Sequence, residues 1–198
     1  MNTLKAEKRT MDTKAKRLRR EGYVTGNVFG REMEGSLPVK IEKSAVEKLL
    51  KTNNKGSQIM LDVDGQSYDV LIKEIQFNPL KGQVDEIDFQ ALVSNEKVHS
   101  VAEIVLVNHA KLEAGVLQQH LEEISFRALP SALVDKVMVD VGDMKVGDVI
   151  KVKDLAIAQD KDVDLKTDLE AAVVSVAAVH VDPALEAEEE AAAEEEAK

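Results

Sequence analysis

Five cationic side chains lie within seven positions near the start of the chain: Lys14, Lys16, Arg17, Arg19 and Arg20. The whole chain carries a formal net charge of -11, so this concentration of positive charge is unfavourable unless an anion offsets it. Phosphate is the anion that such clusters most often meet, because the planar guanidinium of arginine matches its oxygens. The cluster therefore indicates either a phosphate-rich partner or a basic, solvated surface turn.

The residues after the cluster favour a nucleic-acid partner. Gly22 and Gly26 punctuate the chain, residues 24–29 can run as a strand, and Gly30 ends that strand. We expect a flexible basic loop that leads into a rigid strand. Such an arrangement presents cations to the backbone of a nucleic acid.

No arrangement of residues indicates catalysis. The chain has no Cys, which excludes thiol chemistry and Cys-ligated zinc. The histidines are scattered without the spacing of a metal site: His99, His109, His120 and His180. No Gly-rich phosphate loop or nucleophile motif accompanies the carboxylates, and the acidic stretch 140–148 lacks calcium-ligand spacing. We expect a protein that is not an enzyme and uses no cofactor, metal or small-molecule substrate.

Composition bounds the class of protein. With 198 residues, 44% of them hydrophobic, the chain has room for one large domain or two small ones. Its first residues lack the apolar core of a secretory signal, and no apolar run reaches the roughly 20 residues that span a bilayer. The absence of Cys suits a reducing compartment. We expect a soluble, cytoplasmic protein without a membrane partner.

Charge divides the chain into three segments. Residues 1–93 carry 16 Lys and Arg against 14 Asp and Glu, and residues 94–181 carry 9 against 15. Residues 182–198 carry one Lys against eight carboxylates. A mildly basic segment, an acidic segment and a very acidic tail are expected to meet different partners.

The pattern of residues 1–93 predicts a small antiparallel β-barrel that carries one short helix. Asp64 and Gly65 separate two strand-like segments and indicate a hairpin, because that turn requires positive φ. Ser44 and Glu47 have the spacing of a capping box at the start of the helix. A turn around residues 78–82 precedes a returning strand, and closure of the sheet would remove exposed edges.

Residues 94–182 predict a second β-rich domain, which begins after a polar joint at 94–97. Segments rich in Val and Ile alternate there with turns, and we expect a short helix around residues 116–122. Pro183 closes this domain. Residues 183–198 are almost wholly Ala and Glu, so they supply no core and are predicted to form a disordered acidic tail.

Several motifs in residues 1–93 resemble the bacterial large-subunit ribosomal protein L25 family, whose members bind 5S ribosomal RNA. The matching pieces are Ala15–Gly22, Val28–Gly30, Val70–Gln76 followed by Pro79, and Ile87–Phe89. The second domain is similar to that of the long, general-stress (Ctc) form of the family. Its matching pieces are Gly115–Gln118, Ala128–Pro130, Val139–Asp140 and Val146–Leu155.

This resemblance implies a β-barrel that grips an RNA helix. The basic residues would contact phosphates, while Gln76 and Asp88 would bond sugar hydroxyls or base edges in the shallow minor groove. The expected RNA-binding residues are Arg9, Lys14, Lys16, Arg17, Arg19, Arg20, Phe29, Gln76, Asn78 and Asp88. The implied partners are 5S ribosomal RNA and proteins of the large ribosomal subunit, with no required homo-oligomer.

Four positions depart from the family pattern, which has Pro at the position of Thr25, usually Tyr at Phe29, and His at Asn78 and Glu86. Glu86 is the departure with the largest expected effect, because a carboxylate that repels one phosphate costs on the order of 1 kcal/mol.

Two hypotheses therefore stay open. One is a 5S RNA ligand with adjusted contacts, and the other is a divergent stress-related paralogue that acts as a protein-interaction module with weakened RNA binding. A third, an anticodon-reading domain, lacks the nucleotide-binding domain that would accompany it.

Overall fold

The computed structural model describes residues 3–10, 12–31, 33, 35–109 and 115–178. Within these residues the chain is mainly β, with a closed six-stranded barrel followed by a four-stranded and a three-stranded sheet. The predicted fold class, an N-terminal barrel with a short helix and a second β-rich domain, is confirmed. The predicted disorder of the tail at 183–198 concerns residues outside the described ranges.

The barrel is built from the strands of the first half of the chain. Its elements are β1 (Thr3–Lys8), α1 (Ala15–Arg20), β2 (Tyr23–Phe29), β3 (Leu37–Glu42), α2 (Lys43–Leu50), β4 (Gln58–Val63), β5 (Gln66–Asn78) and β6 (Gln83–Ala91). The strand order is β1-β3-β2-β6-β5-β4, and β4 pairs with β1 to close the barrel. The barrel is antiparallel, as predicted, in four of its six neighbouring pairs. The β1–β4 and β2–β6 pairs are parallel, which corrects the prediction of a wholly antiparallel barrel.

Alternation along the strands places apolar side chains inside the barrel. Phe89, Ile41 and Ile59 are among its largest fully buried side chains. Gly26 permits β2 to lie against β6, because a Cβ atom at this position would stand 2.1 Å from the carbonyl oxygen of Ile87. Strands β2 and β6 can therefore pair at position 26 only because the residue there is glycine.

The predicted hairpin at Asp64 and Gly65 is confirmed. The two residues join β4 to β5 and adopt φ angles of 52° and 90°. Both angles lie in the left-handed region that this turn requires.

The helix predicted after Ser44 exists as α2, but the predicted capping box is wrong. The helix begins at Lys43, two residues before the start that a Ser44 cap implies, and no side chain caps its first amides. The Lys43 amide instead donates to the carbonyl oxygen of Gly22 at 3.0 Å. A backbone carbonyl from another segment thus supplies a hydrogen bond that the sequence assigned to a side chain.

The flexible basic loop predicted over residues 14–20 is also wrong, because most of that segment is the helix α1. Ala, Lys, Arg and Leu all have high helix propensity. Leu18 is buried and fixes the helix to the barrel, and Gly22, with a φ of 91°, follows the last turn. The cations are therefore held on a structured element.

The second domain contains two sheets that pack around a common core. Its strands are β7 (Val98–Val107), β8 (Val116–Gln119), β9 (Glu123–Ala128), β10 (Lys136–Asp140), β11 (Val149–Lys151), β12 (Val163–Leu165) and β13 (Ala172–Ala177). The sheet orders are β10-β7-β9-β12 and β11-β13-β8. Phe126 and Ile124 are fully buried between them.

The helix predicted around residues 116–122 is wrong. Residues 116–119 form β8, which pairs with β13 in antiparallel register from Val116 opposite Ala177 to Gln119 opposite Val174. The segment is too short to carry a helical period, and pairing with a distant strand determines its conformation. In the part of the chain that the structure describes, no helix is long and apolar enough to cross a membrane.

Candidate nucleic-acid interface

Helix α1 presents most of its cations to solvent. Leu18 is the buried residue of this helix, whereas most of the cations around it are exposed. The exposed cations are Lys14, just before the helix, and Lys16, Arg17 and Arg20 on it. Arg19 is half-buried against the barrel. The short helix thus carries four cations in different environments, and a fifth, Lys14, lies just before it.

A cleft separates α1 from the turn that joins β5 to β6. It is lined by Lys16, Arg19, Arg20, Lys81, Gln83 and Asp85. Four of these six residues are cations, so the cleft, which we call the basic cleft, is suited to an anion. The sequence analysis missed Lys81, because only the folded chain brings it beside α1. Its signal in the sequence is a single cation inside the turn that follows Pro79.

Arg19 bridges the helix and the barrel. Its Nε donates to the carbonyl oxygen of Asp85 at 2.9 Å, and its Nη2 donates to Thr25 Oγ1 at 3.2 Å. The same Nη2 lies 3.4 Å from a carboxylate oxygen of Glu86. The carboxylate predicted to repel phosphate is therefore paired with an arginine of the cluster.

Arg17 and Arg9 lie outside the basic cleft. Arg17 forms an exposed ion pair with Glu21 at 2.8 Å, one helical turn away. Arg9 precedes α1, and its Nη2 donates to the carbonyl oxygen of Thr13 at 3.1 Å. Its backbone amide donates to Pro38 on β3, which pairs with Asn27 on β2. Arg9 therefore lies beside the polar face described next.

The outer surface of β2, β6 and β5 forms a polar face next to the basic cleft. Two cross-strand rows are set by the register: Thr25, Glu86 and Gln76 in one, and Asn27, Asp88 and Glu74 in the other. Phe29 follows on β2 and is 37% exposed. Gln76 and Asp88 are thus on neighbouring strands, as the sequence analysis expected.

Hydrogen bonds within the polar face orient its carboxylates. Asp88 accepts from the backbone amide of Asn27 at 3.2 Å and from its side-chain amide at 3.3 Å. Asn78 donates to Asp85 at 3.1 Å. This hydrogen bond from Asn78 is the main cause that lowers the pKa of the Asp85 carboxyl, and a further one from Gln83 assists it. Asp85 therefore stays ionised beside the cations of the cleft.

The arrangement is suited to binding anionic and polar groups. The cations of the cleft can hold phosphates, while the amides and carboxylates of the polar face can bond hydroxyl and amino groups. No group of three or more His, Asp or Glu side chains in the described ranges is placed to hold a metal ion.

Comparison with known proteins agrees with this description. Residues 4–89 match the family model "Ribosomal L25p family", and residues 97–180 match "Ribosomal protein TL5, C-terminal domain". The large ribosomal subunit protein bL25 of Geobacillus thermodenitrificans is 35% identical over 142 residues, which is 71% of this chain and 67% of the relative. The bL25 proteins of Caldanaerobacter subterraneus and Listeria monocytogenes are 30% and 32% identical. They align over 88% and 89% of this chain, and over 88% and 86% of their own lengths.

The fold and the site define a β-barrel protein whose surface carries a cationic cleft beside a polar face. The chain belongs to the ribosomal L25p family, in the long form that carries a second domain. It is a structural, non-enzymatic ribosomal protein, and its location is the cytoplasmic ribosome. The alternative of a divergent protein-interaction module is not favoured, because relatives named bL25 align with both domains.

Proposed function

We propose that this protein of the large ribosomal subunit binds 5S ribosomal RNA through its N-terminal domain, residues 1–93. Helix α1 and the β5–β6 turn contact the phosphates of an RNA helix, and the polar face of β2, β6 and β5 contacts its minor groove. The observation that carries the proposal is the basic cleft, in which Lys16, Arg19, Arg20 and Lys81 converge from two separate segments.

The spacing of charge supports an RNA helix as the ligand. A row of cations beside a neutral and acidic face matches a phosphate backbone next to a groove of hydroxyl and base-edge groups. The minor groove of A-form RNA is wide and shallow, and its 2′-hydroxyls can donate to carboxylates such as Asp88. Gln76 and Asn78 add amide groups that can donate and accept.

The remaining members of the predicted site supply the edges of this interface. Lys14 and Arg17 extend the cationic surface along α1, and Arg9 contributes positive charge beside β3. Phe29 offers an apolar edge at the far end of β2. The acidic second domain, residues 94–182, is left free to meet proteins of the large subunit.

Filter binding of the full chain to 5S ribosomal RNA at two salt concentrations tests the proposal. The double variant K16A/R20A removes two cations from the basic cleft. We expect at least a roughly tenfold loss of affinity and a log–log salt slope that is smaller by about two units, one for each lost phosphate contact.

The matched control is K145A/K161A, which removes two exposed lysines of the second domain and changes the net charge by the same amount. We expect this control to bind nearly as the unaltered protein does. Equal losses in both double variants would show that net charge, and not the cleft, governs affinity. Binding of the unaltered chain to 5S RNA no tighter than to an unrelated hairpin would overturn the proposal itself.

A further inference from the structure

The guanidinium of Arg19 has two edges with different surroundings. Its Nε and Nη2 face the barrel, where they donate to Asp85, Thr25 and Glu86. No partner for its Nη1 is found among the described residues, and the side chain forms part of the wall of the basic cleft. Three of its five N–H groups are therefore engaged on the barrel side, and the two on Nη1 stay available to a ligand.

Thr25 is built into the surface that receives this guanidinium. The residue is 1% exposed, and its hydroxyl donates to the carbonyl oxygen of Asp85 at 3.3 Å. Because that proton is directed at Asp85, a lone pair of the same oxygen is left to accept from Arg19. Thr25 also lies directly opposite Glu86 in the β2–β6 register, so the two acceptors approach Arg19 together.

We infer that Thr25 and Glu86 form a seat for Arg19 that directs its Nη1 edge at a phosphate in the basic cleft. This inference rests on the proposed function. Thr25 and Glu86 are positioning residues, and Arg19 is the group that touches RNA. A guanidinium held in place before binding loses less conformational freedom when the phosphate arrives, which strengthens the contact.

The seat also accounts for a carboxylate on an RNA-binding surface. The Glu86 side chain is 26% exposed and lies 3.4 Å from the Nη2 of Arg19, so the charge of the carboxylate is offset by the arginine that it contacts. Arginine suits this role because one edge of its planar fork can be bound while the other stays available, and the compact ammonium of lysine offers no such division.

The variants T25V and T25S test the inference by measured affinity for 5S RNA. Valine keeps the shape and the strand preference of threonine but removes the hydroxyl, whereas serine keeps the hydroxyl. We expect T25V to weaken binding about fivefold with an unchanged salt slope, since no charge is altered, and T25S to bind nearly as the unaltered protein does. In the background of R19A, T25V should have no further effect, because the group that it positions is absent.

The control T167V removes a hydroxyl that bonds the backbone of Ser125 in the second domain, and it should leave RNA affinity unchanged. A purely structural role for Thr25 predicts the reverse order, with serine weaker than valine, since serine is the poorer strand former. That order, or additive effects of T25V and R19A, would overturn the inference and leave the RNA-binding function standing. Failure of the unaltered chain to prefer 5S RNA would overturn both.

Discussion

At the scale of single residues, two neighbouring lysines strongly influence the carboxylate of Glu170. Lys151 and Lys153 donate to its two oxygens at 2.7 Å and 2.9 Å. These hydrogen bonds and the attraction of the two ammonium groups lower the pKa of Glu170 from 4.5 to about 2. The three side chains are exposed, so solvent limits the stabilisation that they supply. The ion pairs nevertheless connect two parts of the second domain. Lys151 on β11 and Lys153 in the turn after it both contact Glu170, which precedes β13.

The shift of Glu170 predicts a pH dependence of stability. Because its pKa is lower in the folded than in the unfolded chain, the stabilisation is complete above pH 4.5 and is lost as the pH falls to about 2. Urea unfolding of the unaltered protein and of E170Q should therefore differ at pH 7, and the difference should shrink through this window. A difference that stays constant from pH 7 to pH 2 would contradict the prediction.

At the scale of the element, α1 is held against the barrel by few side chains. The helix has six residues, which is too short for stability by propensity alone. Leu18, 6% exposed, is its buried residue, and Arg19 adds hydrogen bonds to β2 and β6. The remaining positions, apart from Ala15, carry cations that repel one another. Packing of Leu18 therefore has to offset this repulsion.

Truncation of the buried leucine tests how the helix holds its cations. We expect L18A to lower the free energy of unfolding by about 2 kcal/mol or more and to weaken binding to 5S RNA, although no charge is removed. Urea unfolding and filter binding measure the two effects. The control L169A truncates a leucine of the second domain that is 48% exposed, and both effects should be small. Unchanged RNA affinity in L18A would mean that the cations act as a flexible segment.

Local sequence predicted those elements whose signals are local. The Asp64-Gly65 hairpin and the helix after Ser44 depend on turn chemistry and on a short apolar period, and both are present. The segments at α1 and β8 gave wrong predictions because their conformations depend on burial of Leu18 and on pairing with β13. Six or seven residues contain too little periodicity to reveal such long-range contacts.

The residues of the candidate site could be predicted in part from the sequence, but the contacts between distant residues could not. The cationic cluster and the strand positions of Gln76 and Asp88 follow from the sequence and its resemblance to the L25 family. The convergence of Lys81 on α1 and the pairing of Arg19 with Glu86 do not, because 67 positions separate the members of that pair. Only the closure of the barrel brings them together. Glu86, which the sequence analysis expected to repel phosphate, is thus an ion-pair partner of Arg19.

At the scale of the whole molecule, the loop between α2 and β4 contacts both the barrel and the second domain. The amide of Gly56 donates to the carbonyl oxygen of Ile72 at 2.8 Å, which fixes the loop to β5. On its other side, Ser100 Oγ donates to the carbonyl oxygen of Gly56 at 3.4 Å. A Cβ atom at position 56 would stand 1.9 Å from the carbonyl oxygen of Val101. Strand β7 can reach the barrel here only because residue 56 is glycine.

Side chains on both sides reinforce this junction. Asn54 donates to Glu103 on β7, and Lys55 donates to Glu123 on β9 at 3.3 Å. Lys73 on β5 donates to the carbonyl oxygen of His99 at 2.8 Å. Burial lowers the pKa of the Lys73 ammonium, and the nearby Lys55 lowers it further. These contacts cross from the barrel to the second domain. We expect them to hold the two domains together, so that a partner bound by the barrel would set the direction of the second domain.

The variants G56A and G65A separate this contact from backbone strain. Both glycines have a φ of 90°, so alanine introduces a similar conformational penalty at each, but nothing lies within 4 Å of a Cβ at position 65. The extra effect of G56A therefore reports the approach of β7. We expect nitrogen-15 relaxation to give one rotational correlation time for the unaltered protein and for G65A, and shorter, separate times for the two domains in G56A. A single shared correlation time in G56A would mean that the surrounding side-chain contacts hold the domains together without the close approach at Gly56.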